Sequence, residues 1–105
     1  MTIEKIKKLY MPMSETMYYI LLALVEPRHG YGTMQYVEEI TNERIILGAG
    51  TIYNSLAKLK KDALIELLAE SDRRKIYMIT DVGLELLQAE VTRQEELVQN
   101  GHTYL

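Results

Sequence analysis

Apolar residues recur at helical spacing along most of this chain, with polar residues filling the other face. Met17, Ile20, Leu21, Leu24 and Val25 share one such face. Ser14 before them is a good N-cap, and Glu15 suits the positive end of a helix dipole. Glu26-Pro27 stops the pattern, so residues 15–26 are predicted as a first core helix. Pro27-Arg28-His29-Gly30 reads as a turn, with His29 as a polar turn residue. Tyr31-Gly32-Thr33 opens a second helix that buries Met34, Val37 and Ile40 and ends near Thr41-Asn42. Ile45-Ile46-Leu47 is a short apolar run, read as a single strand or a buried link.

Gly48-Ala49-Gly50 turns the chain into a third helix, where the glycines are expected to allow positive φ or a close backbone approach. Placed at about 100° per residue, Ile52, Leu56, Leu59 and Ala63 fall within about 60° of one another, a narrow apolar stripe. The opposite side carries Thr51, Asn54, Ala57, Lys58 and Lys61. Such groups read DNA: lysine pairs with phosphate or guanine, asparagine with adenine, and a methyl with thymine. The same face also fits an ordinary surface helix with solvated lysines.

Leu64 to Glu70 and Lys75 to Thr80 read as two strands, joined at a hairpin tip by Ser71-Asp72-Arg73-Arg74. The consecutive cations Arg73, Arg74 and Lys75 suit phosphate or minor-groove contact. Thr80-Asp81 caps a last helix. Along it Leu84, Leu87, Val91, Gln94 and Val98 form a seam of coiled-coil spacing, widened by Leu97. Leu86 lies off the seam and is placed to pack back on the domain. A seam of this kind has no obvious partner within so short a chain, and a second copy would bury it; simple packing on its own domain is the alternative. Asn100 to Leu105 read as a frayed end. At the other end, Ile3, Ile6, Leu9 and Tyr10 follow helical spacing up to Pro12, either as an arm on a partner subunit or as a loose terminus.

Three core helices, a basic hairpin and a long helix are the winged helix-turn-helix arrangement, an α+β fold that is mostly α. The expected organisation is a DNA-binding domain over residues 1–80, with residues 1–13 as an N-terminal arm, and a dimerisation helix over residues 81–105.

Composition narrows the function. The 105 residues suffice for one domain with a modest core. With no cysteine, disulfides, thiol catalysis and thiolate metal sites are excluded. No run reaches the length of a membrane span, and no signal peptide is evident, so the default location is cytoplasmic. The net charge of −3 argues weakly against nucleic acid, but its distribution argues the other way. Residues 44–75 carry net +3, between flanks of −2 and −4, and local charge governs binding. The only histidines, His29 and His102, have no companions at catalytic or ligand spacing. No enzyme, metal or cofactor is therefore expected. A winged helix that docks on an acidic protein partner is the alternative to a DNA reader.

His29-Gly30-Tyr31-Gly32, Gly50-Thr51-Ile52-Tyr53 with Leu56 and Leu59, Leu64-Ile65, and Arg73 to Thr80 with Gly83 resemble, in order and spacing, the PadR family of transcriptional regulators. The resemblance covers residues 14 to about 98. The single C-terminal helix is similar to the short branch of that family. Three departures stand out. Ala63 replaces a glycine that commonly precedes the Leu-Ile pair. Asn54-Ser55 replaces a basic residue often found there. No tryptophan is present, although some short members stack a ligand between tryptophans of the last helix.

The resemblance implies a homodimer that binds a palindromic operator on double-stranded DNA and usually represses. It places Thr51, Tyr53, Asn54, Lys58 and Lys61 on the recognition helix, Arg73, Arg74 and Lys75 on the wing, and Tyr31 at the DNA backbone. Leu9, Met13, Met17, Leu84, Leu87, Val91, Gln94, Leu97 and Val98 would form the dimer interface. A hydrophobic or aromatic small-molecule effector is also implied, for which Tyr10, Met11, Met13, Met17 and Tyr18 could line a pocket.

Overall fold

The computed structural model describes residues 1–105. Five helices and three short strands follow in the order α1 (Ile3–Tyr10), α2 (Glu15–Ala23), β1 (Arg28–His29), α3 (Gly30–Ile40), α4 (Ala49–Lys61), β2 (Ile65–Ser71), β3 (Arg74–Ile79) and α5 (Asp81–Tyr104). Most helices begin on a side-chain cap that satisfies a first-turn N–H. Thr2 accepts from Lys5 N, Ser14 from Met17 N, and Thr80 from Gly83 N. At α3 the cap is His29, whose Nδ1 accepts from Gly32 N at 2.9 Å.

The sheet has the order β1-β3-β2 and is antiparallel throughout. β2 and β3 form the wing, with Ile65 opposite Ile79 at its base and Ser71 opposite Arg74 at its tip. Asp72 and Arg73 turn the chain there, both at positive φ (49° and 65°), the geometry of a type I′ hairpin. β1 corrects the expectation of a plain turn at residues 27–30. Arg28 pairs with Tyr77 and His29 with Ile76. Two residues are too few for an alternating pattern, and the partner lies far off in sequence. Ile45-Ile46-Leu47, by contrast, is no strand: Leu47 is buried while Ile46 is 68% exposed.

The core is built from Ile6 and Tyr10 of α1, Ile20, Leu21 and Ala23 of α2, Val37 of α3, and Ile52, Leu56 and Leu59 of α4, closed by Leu64, Ile65, Leu86 and Leu87. Val25 and Ile40 fall outside it and are exposed, whereas Ala23 and Thr33 are buried. The α4 stripe holds for Ile52, Leu56 and Leu59. Ala63 lies beyond the helix end, exposed, at φ 60°. Gly48 and Gly50 do not have positive φ, and a Cβ on either would meet nothing within 4 Å. Close approach occurs at Gly83 instead, where a Cβ would lie 2.2 Å from the Leu64 carbonyl oxygen. That contact lets α5 start hard against the base of the wing.

The end of α5 also differs from expectation. The helix continues through Asn100 to Tyr104 rather than fraying. Its first half belongs to the domain core through Leu86, Leu87 and the fully buried Glu90. Glu90 accepts from Met13 N, from Arg93 Nη2 at 2.6 Å and from Gln94 Nε2 at 3.0 Å. The Arg93 guanidinium, followed by the Met13 and Gln94 hydrogen bonds, holds its carboxyl below the usual range against the opposing effect of burial.

Candidate nucleic-acid interface

The helix-turn-helix is α3, the link 41–48 and α4. Thr41 shapes the link: its hydroxyl donates to Val37 O at 2.7 Å and accepts from Ile45 N at 3.1 Å. Asn42 and Glu43 reverse the chain at positive φ. An ion pair between Arg44 and Glu15 ties the link to the start of α2. With Ile52, Leu56 and Leu59 locked inward, α4 presents Thr51, Tyr53, Asn54, Ala57, Lys58 and Lys61 outward, all exposed.

An open cleft of about 530 Å³ lies between α4 and the wing. Tyr53, Leu56 and Ala57 line it from α4, Arg73, Arg74, Lys75 and Tyr77 from the wing, and His29, Gly30 and Tyr31 from the start of α3. Five of the residues expected at DNA thus meet in one place: Tyr31, Tyr53, Arg73, Arg74 and Lys75. Thr51, Asn54 and Lys61 lie on the exposed face of α4 without lining the cleft. Lys58 points elsewhere. Its Nζ stands 5.1 Å from the centroid of the Tyr10 ring, and it lines a small pocket with Leu9, Tyr10, Met13 and Met17.

Sequence reasoning missed His29, Gly30 and Tyr77 as members of the cleft. Gly30 is there because a Cβ would lie 2.8 Å from Tyr53 Cε1, so its bareness lets the tyrosine ring rest on α3. The His29 and Tyr31 rings are nearly parallel, at 6° and 6.5 Å. The one available signal was the Gly-Tyr-Gly run after His29, which marks a helix start needing a capping side chain.

The residues expected at a dimer interface divide. Leu9, Leu84, Leu97 and Val98 are exposed, and Met17, Val91 and Gln94 are half-buried. Met13 and Leu87 lie inside the chain's own core, so they can only back such an interface, not form its surface. Tyr10 is buried as well, and its hydroxyl donates to Asp62 Oδ2 at 2.6 Å. Burial, reinforced by Asp62, pushes its pKa up. No three His, Cys, Asp or Glu side chains gather as a metal ion would require, and no helix is long and apolar enough to cross a membrane.

Helix-turn-helix and basic hairpin define a winged-helix protein. Residues 14–89 match the model of the transcriptional regulator PadR-like family, and the chain belongs to that family. It is similar over its length to solved regulators. A PadR-like transcription factor from Bacteroides fragilis is 26% identical, with a TM-score of 0.71 over 97% of this chain and 95% of that one. A PadR-like transcriptional regulator from Bacillus cereus is 27% identical, with a TM-score of 0.69 over 84% of this chain and 88% of that one. An uncharacterized 37.1 kDa protein in transposon TN4556 of Streptomyces fradiae is 36% identical over 72 residues, 68% of this chain. The matched stretch is only 20% of that relative's length.

Proposed function

We propose that the chain is a sequence-specific DNA-binding transcriptional regulator that works as a homodimer on a palindromic operator, without enzymatic activity. One observation carries this reading. Tyr53 and Ala57 of α4, the cationic wing tip and Tyr31 line one cleft, with three cations around it. α4 would enter the major groove, while Arg73, Arg74 and Lys75 hold the backbone or minor groove beside it. Thr51, Asn54 and Lys61 are free to approach base edges and phosphates, and Lys58 can join them by leaving Tyr10. Repression, by occupying a promoter, and the expected cytoplasmic location belong to the same proposal.

A second copy would cover the exposed apolar residues of α1 and α5, among them Leu9, Leu97 and Val98. Two recognition helices related by a two-fold axis would then read two half-sites. A small hydrophobic effector has a narrower footing. Of the residues expected to line its pocket, Tyr10, Met13 and Met17 share a small surface pocket of about 200 Å³ with Lys58, which supports that reading.

The test is duplex DNA titrated across a salt series. Arg73→Ala should weaken binding to every sequence and flatten its salt dependence by about one ion, whereas Asn54→Ala should relax preference at one base pair. Unchanged affinity in both variants would contradict the assigned face.

A further inference from the structure

One neutral imidazole cannot serve both neighbours that press on His29. Its Nδ1 meets Gly32 N at 2.9 Å, and its Nε2 meets Arg74 Nη1 at 3.2 Å. Both neighbours are donors, and a guanidinium has nothing else to offer. A neutral ring has one lone pair and one N–H. The lone pair belongs on Nδ1, because Gly32 N–H is fixed in the first turn of α3 and finds no acceptor within the helix. Arg74 sits on an exposed wing and can adjust. The proton therefore lies on Nε2, and Nε2–H confronts the Arg74 guanidinium as a second donor.

The sheet holds this arrangement in place. His29 is paired with Ile76 across β1 and β3, and Arg74 lies two residues along β3, on the same face. Arg74 has no acid partner in the chain: the ion pairs that form are Glu15–Arg44 and Glu90–Arg93. Two converging donors are short of one acceptor, and the cleft beside them is lined by Arg73 and Lys75 as well.

We propose that His29 and Arg74 together grip one non-bridging oxygen of a DNA backbone phosphate. The oxygen would enter between Nε2–H and the guanidinium and turn a donor–donor conflict into two hydrogen bonds. His29 thereby becomes a DNA-contacting residue as well as the cap of α3. The inference rests on the DNA reading above and adds a residue that the wing cations alone would not require.

A double-mutant cycle tests it, with random-sequence duplex at low salt as the probe. His29→Asn keeps a good capping side chain but cannot reach the phosphate. His29→Asn and Arg74→Ala should each weaken binding by about tenfold, the worth of one hydrogen bond to a charged group. Because both donors share one oxygen, the double variant should lose much less than the product of the two. Arg74→Ala should lower the salt slope, since it removes a fixed cation. Multiplicative losses, or wild-type affinity in His29→Asn with its fold intact by thermal melting, would each overturn the grip while leaving DNA binding standing. Failure of the unaltered protein to retain duplex would overturn both.

Discussion

The carboxylate of Glu90 accepts a hydrogen bond from the backbone N–H of Met13 at 3.2 Å, across 77 positions of sequence. It binds the middle of α5 to the link between α1 and α2, where Tyr10 and Met13 enter the core. Glu90→Ala should strip Met13 N–H of its acceptor and destabilise the fold by about 2 kcal/mol, read by chemical denaturation. Glu90 has a lowered pKa in the folded state. Its contribution is therefore complete above the unfolded value of about 4.3 and is lost as pH falls through the lower folded one. The gap between wild type and Glu90→Ala should hold from neutral pH to about 5 and close only in stronger acid.

Ala63 sits at φ 60°, immediately after the end of α4. An L side chain in this conformation is strained, and glycine is not. Ala63→Gly should stabilise the protein by about 0.5–1 kcal/mol. A neutral or destabilising result in denaturant melts would contradict the left-handed ending.

Gly83 has no room for a side chain. A Cβ would lie 2.2 Å from Leu64 O and 2.7 Å from Ile79 Cγ1, and a backbone oxygen cannot swing away. Gly83→Ala should cost about 3 kcal/mol and lower the thermal midpoint accordingly. Gly30→Ala should behave differently. The atom it meets belongs to the exposed Tyr53 ring, which can move. Its stability should stay within about 0.5 kcal/mol of wild type, while DNA affinity falls about tenfold because Tyr53 is re-aimed.

Leu97 and Val98 are 55% and 58% exposed on the outer half of α5. If a second copy covers them, Leu97→Glu with Val98→Glu should yield a monomer in sedimentation. The concentration dependence of the thermal midpoint should disappear with it. A wild-type protein that sediments as a monomer at every concentration would contradict the dimer.

Much of this fold could be read from the chain because its signals are local. Ser14 and Thr80 announce helix starts, Ile52, Leu56 and Leu59 declare the inner face of α4, and Arg73-Arg74-Lys75 mark the wing tip. What escaped depends on partners distant in sequence. β1 exists only because Arg28 and His29 meet Tyr77 and Ile76. Glu90 looks like one more acid on a solvated helix until Met13 arrives beside it. The glycines mislead for the same reason. Gly48 and Gly50 look like a special turn but meet nothing, whereas Gly30 and Gly83 each accommodate a neighbour from another element. Within the candidate site, the α4 face and wing were legible as residue types. The role of His29 was not, since a histidine in a predicted turn gives no hint of an arginine 45 positions away.

Selection of binding sites from a random duplex DNA pool by the purified protein tests the central claim most directly. The account predicts enrichment of an inverted repeat, whose two half-sites report the two recognition helices of a dimer. Retention of DNA without any enriched sequence would contradict specific reading by α4, and no retention even at low salt would contradict DNA binding altogether.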